Sequence, residues 1–107
     1  MYEGAVEHED SLGNKQVIYN NEVQWINAGR GIIHSEKADK KFVEEGGRYQ
    51  GIQLWINTPR ALKMAPASYQ PITSKEIVLV EKEGIEFRLV SGEYEGMKGP
   101  AHSDVYT

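Results

Sequence analysis

The chain has 107 residues, no cysteine and a formal net charge of −4. This length suits one domain with one core. Hydrophobic residues at 39% and charged residues at 26% are typical of a folded globular protein. Disulfides, thiolate nucleophiles and sulfur-ligated metals are excluded. The acidic balance and the scattered lysines argue against nucleic acid as a direct partner. Because no apolar run has membrane-spanning length and no signal-peptide pattern opens the chain, we expect a cytoplasmic protein without a membrane partner.

The first third of the chain predicts short β-strands separated by Gly and Asn turn signals. A strand over residues 2–9 is followed by a turn and a returning strand over residues 15–19, which together make a hairpin. A strand over 23–27 is then interrupted by Gly29–Gly31 before the strand that carries His34. We expect the glycines to bend the chain, since glycine adopts conformations that other residues avoid.

The rest of the chain continues the β pattern. Four segments follow in order: a polar flexible loop over 37–47, a strong strand over 49–57, an irregular stretch over 61–74 and a final hairpin over 77–89. Residues 92–107 are glycine-rich and polar, so we predict a linker or tail there and a single domain over 1–91. No segment has convincing helical periodicity. The sequence therefore predicts an all-β fold, a sandwich or a barrel.

His34 and Glu36 are the candidate metal ligands. Side chains two residues apart in a strand point to the same face, so the imidazole and the carboxylate lie side by side with Ile32. Such a pair suits iron, manganese, nickel or zinc. A lone histidine in an apolar strand is more often a core residue, and the nearby carboxylate is what favours a metal site. A stable catalytic site usually has three protein ligands, however, and these residues supply two.

The other two histidines are weaker candidates. His8 stands among Glu7, Glu9 and Asp10, which looks like an acidic metal cluster. In a strand it shares a face with Asp10 but not with the two glutamates. We therefore expect a structural or surface role for His8, and an exposed, inert side chain at His102 in the tail.

Three other side chains invite a functional interpretation. Trp25 and Trp55 could line a substrate pocket, but an aromatic residue in an alternating strand is more often part of the core. The Gly29–Arg30–Gly31 segment lacks the strand and helix context of a phosphate loop. We expect a bend there, with Arg30 paired to a carboxylate.

Several stretches, in this order, resemble pirins and pirin-related proteins: 4–13 (GAVEHEDSLG), 23–36 (VQWINAGRGIIHSE), 51–57 (GIQLWIN), Lys63–Met64, Tyr69–Gln70 and the tail segment 98–100. The resemblance covers nearly the whole chain. It implies a cupin jelly-roll barrel, one of two in a pirin, that holds a single metal ion, most often iron. For this chain it implies an incomplete jelly roll whose leading strands are missing, without the second barrel.

The resemblance also implies a ligand set of three histidines and one glutamate. His34 and Glu36 match the third histidine and the glutamate. The first two histidines belong to a His-x-His motif upstream of the strand over 2–9, which this chain lacks, and the segment around His8 is non-ligating in the family. Asn20–Glu22 departs from the family's Pro-Gly-Asp turn. We therefore expect half a metal site, with the divalent ion weakly held or absent.

Three functions follow from the resemblance. One is a metal-dependent dioxygenase acting on flavonols such as quercetin, with Glu36 as ligand and base and His34 as ligand. Another is a metal-dependent regulator of a protein partner. The third is a self-associating, non-catalytic protein with no metal chemistry. We rank this third function or the interaction function above the enzyme. We expect a homodimer, formed by edge-to-edge pairing or by exchange of the 1–19 hairpin, because missing strands would leave open sheet edges. A second chain could then complete the site.

Overall fold

The computed structural model describes residues 1–102, and the last five residues of the predicted tail lie outside that range. The elements in chain order are β1 (Val6–Asp10), β2 (Lys15–Ile18), β3 (Val23–Asn27), β4 (His34–Ala38), α1 (Lys40–Glu45), a 3₁₀ turn (Arg60–Leu62), β5 (Ser68–Ile72), β6 (Val78–Lys82), β7 (Ile85–Leu89), β8 (Glu93–Tyr94) and β9 (Met97–Lys98). This mostly β architecture confirms the predicted class. Neither helix within residues 1–102 is long and apolar enough to cross a membrane.

The largest sheet has three antiparallel strands in the order β2-β1-β4. The predicted first hairpin is confirmed as β1 and β2, with Gly13 at φ 88° in its turn. Strand β4 pairs with the other edge of β1 and places His8 opposite Glu36 and Asp10 opposite His34. Directly opposed residues of an antiparallel pair lie on one face of the sheet. These four side chains therefore share a face.

A second sheet of two strands, β3 and β5, lies against that face. The ring of Tyr69 on β5 stacks on the ring of His8, and Gln24 on β3 donates a hydrogen bond to Glu36. The buried apolar side chains of the core are Ala5, Val6, Ile18, Ile72, Ile77 and Val80. The site thus lies between two sheets and close to part of the core.

The bend before β4 is confirmed. Gly29 has φ 50°, and a Cβ atom there would lie 2.1 Å from the carbonyl oxygen of Ala65, so the position requires glycine. The Arg30 backbone N–H donates to the same Ala65 oxygen at 2.8 Å. The Arg30 side chain is exposed, and its expected carboxylate partner is not found among residues 1–102.

The predicted flexible loop over 37–47 is wrong in part. Strand β4 continues to Ala38, and α1 follows, with the Asp39 side chain accepting a hydrogen bond from the Phe42 backbone N–H at its N-terminus. The helix has six residues and buries none of them. It is shorter than two turns and needs no apolar face, so it leaves no helical periodicity in the sequence.

The predicted strand over 49–57 is also wrong. Gln50 forms an isolated bridge with Glu3, and residues 51–57 belong to no sheet in the described chain. Trp55, expected in the core, is 86% exposed, whereas Trp25 is half-buried. Apolar alternation predicts a strand only where a neighbouring strand supplies hydrogen bonds and a surface to pack on. No strand within residues 1–102 does so for this segment.

The stretch over 61–74 is more regular than predicted. It holds the end of the 3₁₀ turn and the whole of β5, which pairs with β3 from Val23 opposite Ile72 to Asn27 opposite Ser68. The sequence did not predict this strand, because Pro71 lacks the backbone N–H that a sheet ladder needs. It is tolerated in β5 because each strand of a two-stranded sheet is an edge strand.

The final hairpin is confirmed as β6 and β7. Glu83 and Gly84 connect the two strands with φ 52° and φ 78°, the conformation of the tightest hairpin turns. Residues 93–98, predicted as part of a linker or tail, form the small hairpin of β8 and β9. The division into a domain over 1–91 and a tail over 92–107 stays a prediction.

Candidate metal centre

Strands β1 and β4 bring three potential metal ligands together. The Nδ1 atom of His34 lies 3.7 Å from Oε1 of Glu36, and the Nδ1 atom of His8 lies 3.9 Å from the same oxygen. One donor atom from each of the three residues lies within 4.8 Å of the others. The predicted proximity of His34 and Glu36 is therefore observed, and the His8–His34–Glu36 cluster could hold a metal ion.

His8 is the most enclosed polar residue of the cluster. It has no exposed surface, so the expected surface role is wrong. Its Nε2 atom lies 2.6 Å from Oδ2 of Asp10. Its Nδ1 atom is buried and has no hydrogen-bond partner among the described residues. Glu7, on the opposite face of β1, instead pairs with Lys37 at 3.2 Å, as the strand alternation predicts.

Several hydrogen bonds hold the Asp10 carboxylate in place beside His8. Its Oδ1 atom accepts hydrogen bonds from the backbone N–H groups of Leu12 and Asn14 at 2.9 and 3.2 Å. The Asn14 side-chain amide lies 3.1 Å from Oδ1 and 3.0 Å from Oδ2. Burial alone would raise the pKa of Asp10, but the hydrogen bonds from His8, Asn14 and Leu12 outweigh it and lower the pKa to about 2. Asp10 is therefore an ionised acceptor at neutral pH.

Gln24 and Tyr69 connect the second sheet to the cluster. The Gln24 amide donates to Oε1 of Glu36 at 3.1 Å, and the Tyr69 hydroxyl donates to Oε1 of Gln24 at 2.9 Å. The Tyr69 ring stacks on His8 with centroids 4.1 Å apart and planes 7° apart. Burial, together with the nearby charges of Asp10 and Glu36, raises the pKa of Tyr69 to about 12. The phenol therefore stays a hydrogen-bond donor.

The cluster is buried at one end and open at the other. The side chains of His34 and Glu36 are 35% and 29% exposed, whereas that of His8 is fully buried. A shallow depression of about 300 Å³ adjoins the open end, lined by Glu9, Asp10, Ser11, Ile33, His34 and Ser35. Solvent and small ligands can thus reach the site from the His34 side.

Sequence reasoning missed three members of the site, His8, Gln24 and Tyr69. Each reaches the cluster through a contact between distant segments, namely the pairing of β1 with β4 and the packing of β3 and β5 against them. The one available signal was the shared face of His8 and Asp10. His102 is exposed, as predicted, and its backbone N–H donates to Gln70 at 2.7 Å.

Comparison with known proteins relates this arrangement to a family. Residues 1–56 match the family model described as Pirin. The chain is 42% identical over 99 residues to a pirin-like protein of Arabidopsis thaliana, covering 92% of this chain and 31% of that protein. It is 37% identical over 102 residues to a pirin-like protein of Caulobacter vibrioides, covering 94% and 36% of the two chains.

A solved structure gives the same result for the fold. The crystal structure of quercetin 2,3-dioxygenase from Acinetobacter baumannii superposes with a TM-score of 0.87 at 39% identity, covering 95% of this chain and 36% of that one. The predicted cupin-type β fold is thereby confirmed. The chain spans about a third of the length of the curated relatives it matches. By sequence and by fold, the chain belongs to the pirin family.

Proposed function

We propose that this chain is a pirin-type metal-binding module that holds one divalent first-row transition-metal ion through His34 and Glu36. The observation that carries the proposal is the 3.7 Å separation of His34 Nδ1 and Glu36 Oε1 on one face of β4. Two donors that each lie about 2.0–2.2 Å from one ion are at most roughly 4.4 Å apart. The two atoms are thus placed for a shared ion without rearrangement of the strand.

The donor set and its surroundings favour a transition metal. Imidazole and carboxylate ligands suit iron, manganese, nickel and zinc, and membership of the pirin family favours iron. The buried Nδ1 atom of His8 lies 3.9 Å from Glu36 and has no hydrogen-bond partner among the described residues, and a cation bound there would supply one. The exposure of His34 gives the ion a path from solvent.

Metal titration tests the proposal. We expect one ion per chain when the purified protein is titrated with Zn²⁺, Mn²⁺, Ni²⁺ or, without oxygen, Fe²⁺ and followed by calorimetry. The variants His34→Ala and Glu36→Gln should weaken binding at least tenfold. His102→Ala is the matched control, since that histidine is exposed and remote in sequence. Unchanged affinity in His34→Ala would contradict the proposal.

Flavonol oxygenation is the second candidate function. It is supported by the similarity to a quercetin 2,3-dioxygenase and by the depression beside His34. A bound metal would supply a Lewis-acidic centre for the substrate oxygens. Glu36 would accept the proton of the flavonol hydroxyl, and Gln24 would hold the Glu36 carboxylate through its 3.1 Å hydrogen bond.

We expect this activity to be absent from the chain on its own, because the depression is shallow and exposes the site to water. The measurement is the loss of quercetin absorbance together with oxygen uptake by the metal-loaded chain, against the same free ion. Oxygen-coupled turnover that falls in Glu36→Gln and persists in His102→Ala would establish the enzyme function instead.

We also propose self-association of the chain into a homodimer through residues 51–57. The support is an exposed apolar run outside the sheets, in which Ile52, Leu54 and Trp55 are 74%, 78% and 86% exposed. A second copy offers the same unpaired segment, and two such segments can pair edge to edge. Sedimentation velocity at micromolar concentration should show a dimer that Leu54→Lys disrupts. Val43→Lys, at an exposed site on α1, is the control. A monomer at every concentration would contradict the idea.

A further inference from the structure

We infer that His8 is the third metal ligand of this site and that it binds the ion through Nδ1, with Asp10 as the carboxylate that orients it. The inference rests on the proposed function and adds a ligand to it. The carrying observation is that His8 Nδ1 is fully buried, has no hydrogen-bond partner among the described residues, and lies 3.9 Å from Glu36 Oε1.

The hydrogen bonds around Asp10 fix which nitrogen of His8 is free. Both carboxylate oxygens of Asp10 receive N–H donors from Leu12 or Asn14. An acceptor surrounded by donors requires that His8 Nε2, 2.6 Å from Oδ2, carries the proton and donates it. In a neutral imidazole the other nitrogen is then unprotonated. In the neutral ring, the form that binds a metal, the lone pair is therefore on Nδ1, the atom that lies 3.9 Å from Glu36.

The ring is held in place before any ion arrives. Tyr69 stacks on one face of the imidazole at 4.1 Å, and Asp10 anchors its far edge at 2.6 Å. A metal-ligating histidine commonly donates its second N–H to a carboxylate, which sets both tautomer and orientation. His8 and Asp10, two residues apart on β1, reproduce this arrangement beside His34 and Glu36 of β4.

A core histidine is the competing interpretation. Such a residue usually satisfies both ring nitrogens, because an unpaired polar atom in the interior costs free energy. In His8 the unpaired atom points at a second imidazole and a carboxylate, with the His34 ring centroid 5.7 Å away. The result is a set of two histidines and one carboxylate, the donor set typical of non-haem iron sites. Because the His8 end is buried, any further ligand, such as a small oxygen anion, must approach from the His34 side.

Nuclear magnetic resonance of the histidine side chains tests the inference on the unaltered chain. The sequence has three histidines, so ¹⁵N-histidine labelling gives three imidazoles to follow during a Zn²⁺ titration. We expect His8 and His34 to change and His102 to stay constant, with the shift at Nδ1 of His8 and its Nε2 proton retained. The variants His34→Ala and His102→Ala assign the signals.

The outcomes separate the two proposals. If no imidazole responds to any of the metals, the proposed function fails. If His34 responds and His8 does not, or if His8 binds through Nε2, the metal function stands and this inference is overturned.

A second variant checks the role of Asp10 as a positioning residue. Removing the carboxylate that orients a ligating histidine typically lowers metal affinity 10–100-fold, and we expect Asp10→Asn to do so. Glu7→Gln is the matched control, because Glu7 is a carboxylate on the opposite face of β1, where it pairs with Lys37. The diagnostic readout is the loss of the single Nε2–H form of His8 in the imidazole spectrum. Equal affinity in the two variants, with an unchanged His8 tautomer, would overturn the assigned role.

Discussion

The sequence predicts β-strands both at the site and over residues 51–57, but only the strands at the site have a paired neighbour within residues 1–102. In the site, β1 and β4 form a paired ladder, and Tyr69 and Gln24 reach across from the second sheet. In residues 51–57, strong apolar alternation is accompanied by no strand partner in the described chain, and Trp55 is 86% exposed.

The difference shows that strand pairing determines which functional side chains are brought together and buried. The alternation of side chains along a strand predicts which of them share a face. The pairing of that strand determines whether the face is buried and which residues it packs against. His8 becomes a candidate ligand because a strand some thirty residues away lies beside it. Trp55 is exposed because its segment has no such neighbour within residues 1–102.

The largest expected effect on stability comes from truncating a buried side chain at the packed sheets, compared with an exposed one in residues 51–57. Ile72 on β5 is 1% exposed, so Ile72→Ala should lower the free energy of unfolding by about 2–5 kcal/mol through lost burial and a cavity. Leu54→Ala, at 78% exposure, should change it by no more than about 0.5 kcal/mol. Urea unfolding of the chain, at a concentration at which sedimentation gives a monomer mass, measures both. Equal losses would mean that residues 51–57 are packed in solution.

The pH dependence of stability tests whether the hydrogen bonds of Asp10 stabilise the fold. The pKa of Asp10 is about 2 in the folded chain, below its ordinary 3.8. A carboxyl group with a lowered folded pKa stabilises the fold fully above its unfolded pKa and loses that contribution as the pH falls through the folded value. We therefore expect the free energy of unfolding to decline from about pH 4 toward pH 2. Asp10→Asn should flatten that decline, and an identical profile in the variant would count against the hydrogen-bond network.

A smaller effect should follow from removing one hydroxyl. Tyr69→Phe keeps the ring stacked on His8 and deletes the hydrogen bond to Gln24. The expected loss is about 0.5–1.5 kcal/mol by urea unfolding. Tyr19→Phe, at a 55% exposed ring, serves as the control. A loss in the control as large as in Tyr69→Phe would show that the Gln24 contact is not responsible.

The smallest effect is expected at the helix cap. Asp39 accepts one long hydrogen bond, 3.4 Å from the Phe42 nitrogen, at the start of a helix that buries no residue. Asp39→Ala should therefore cost about 0.5 kcal/mol, the low end for an N-cap. Thermal unfolding compared with Asp39→Asn, which keeps a capping side chain, measures it. A cost near that of Ile72→Ala would show that α1 contributes to the core.

The sequence predicted the parts of the fold that local rules control. The β1–β2 hairpin, the bend at Gly29 and the β6–β7 hairpin follow from alternation and from residues that tolerate positive φ. Strand β5 was missed because Pro71 concealed it, and α1 because a six-residue exposed helix leaves no periodic signal.

Only half of the site was predictable, because local rules again predict only what lies within one strand. His34 and Glu36 are two residues apart on one strand, so their proximity is a local property. The third donor, His8, and the supporting Gln24 and Tyr69 arrive through pairing and packing of distant segments. Local rules of alternation and turn preference do not predict those contacts, because the paired segments are far apart in the chain.

The most direct test of a metal centre in the paired region is a crystal structure of the chain grown with Zn²⁺, with diffraction recorded at the zinc absorption edge. Our account predicts one strong anomalous peak between His8 Nδ1, His34 and Glu36, about 2.0–2.2 Å from each donor. An empty cluster under saturating zinc, or a peak bound to the exposed His102 instead, would contradict it.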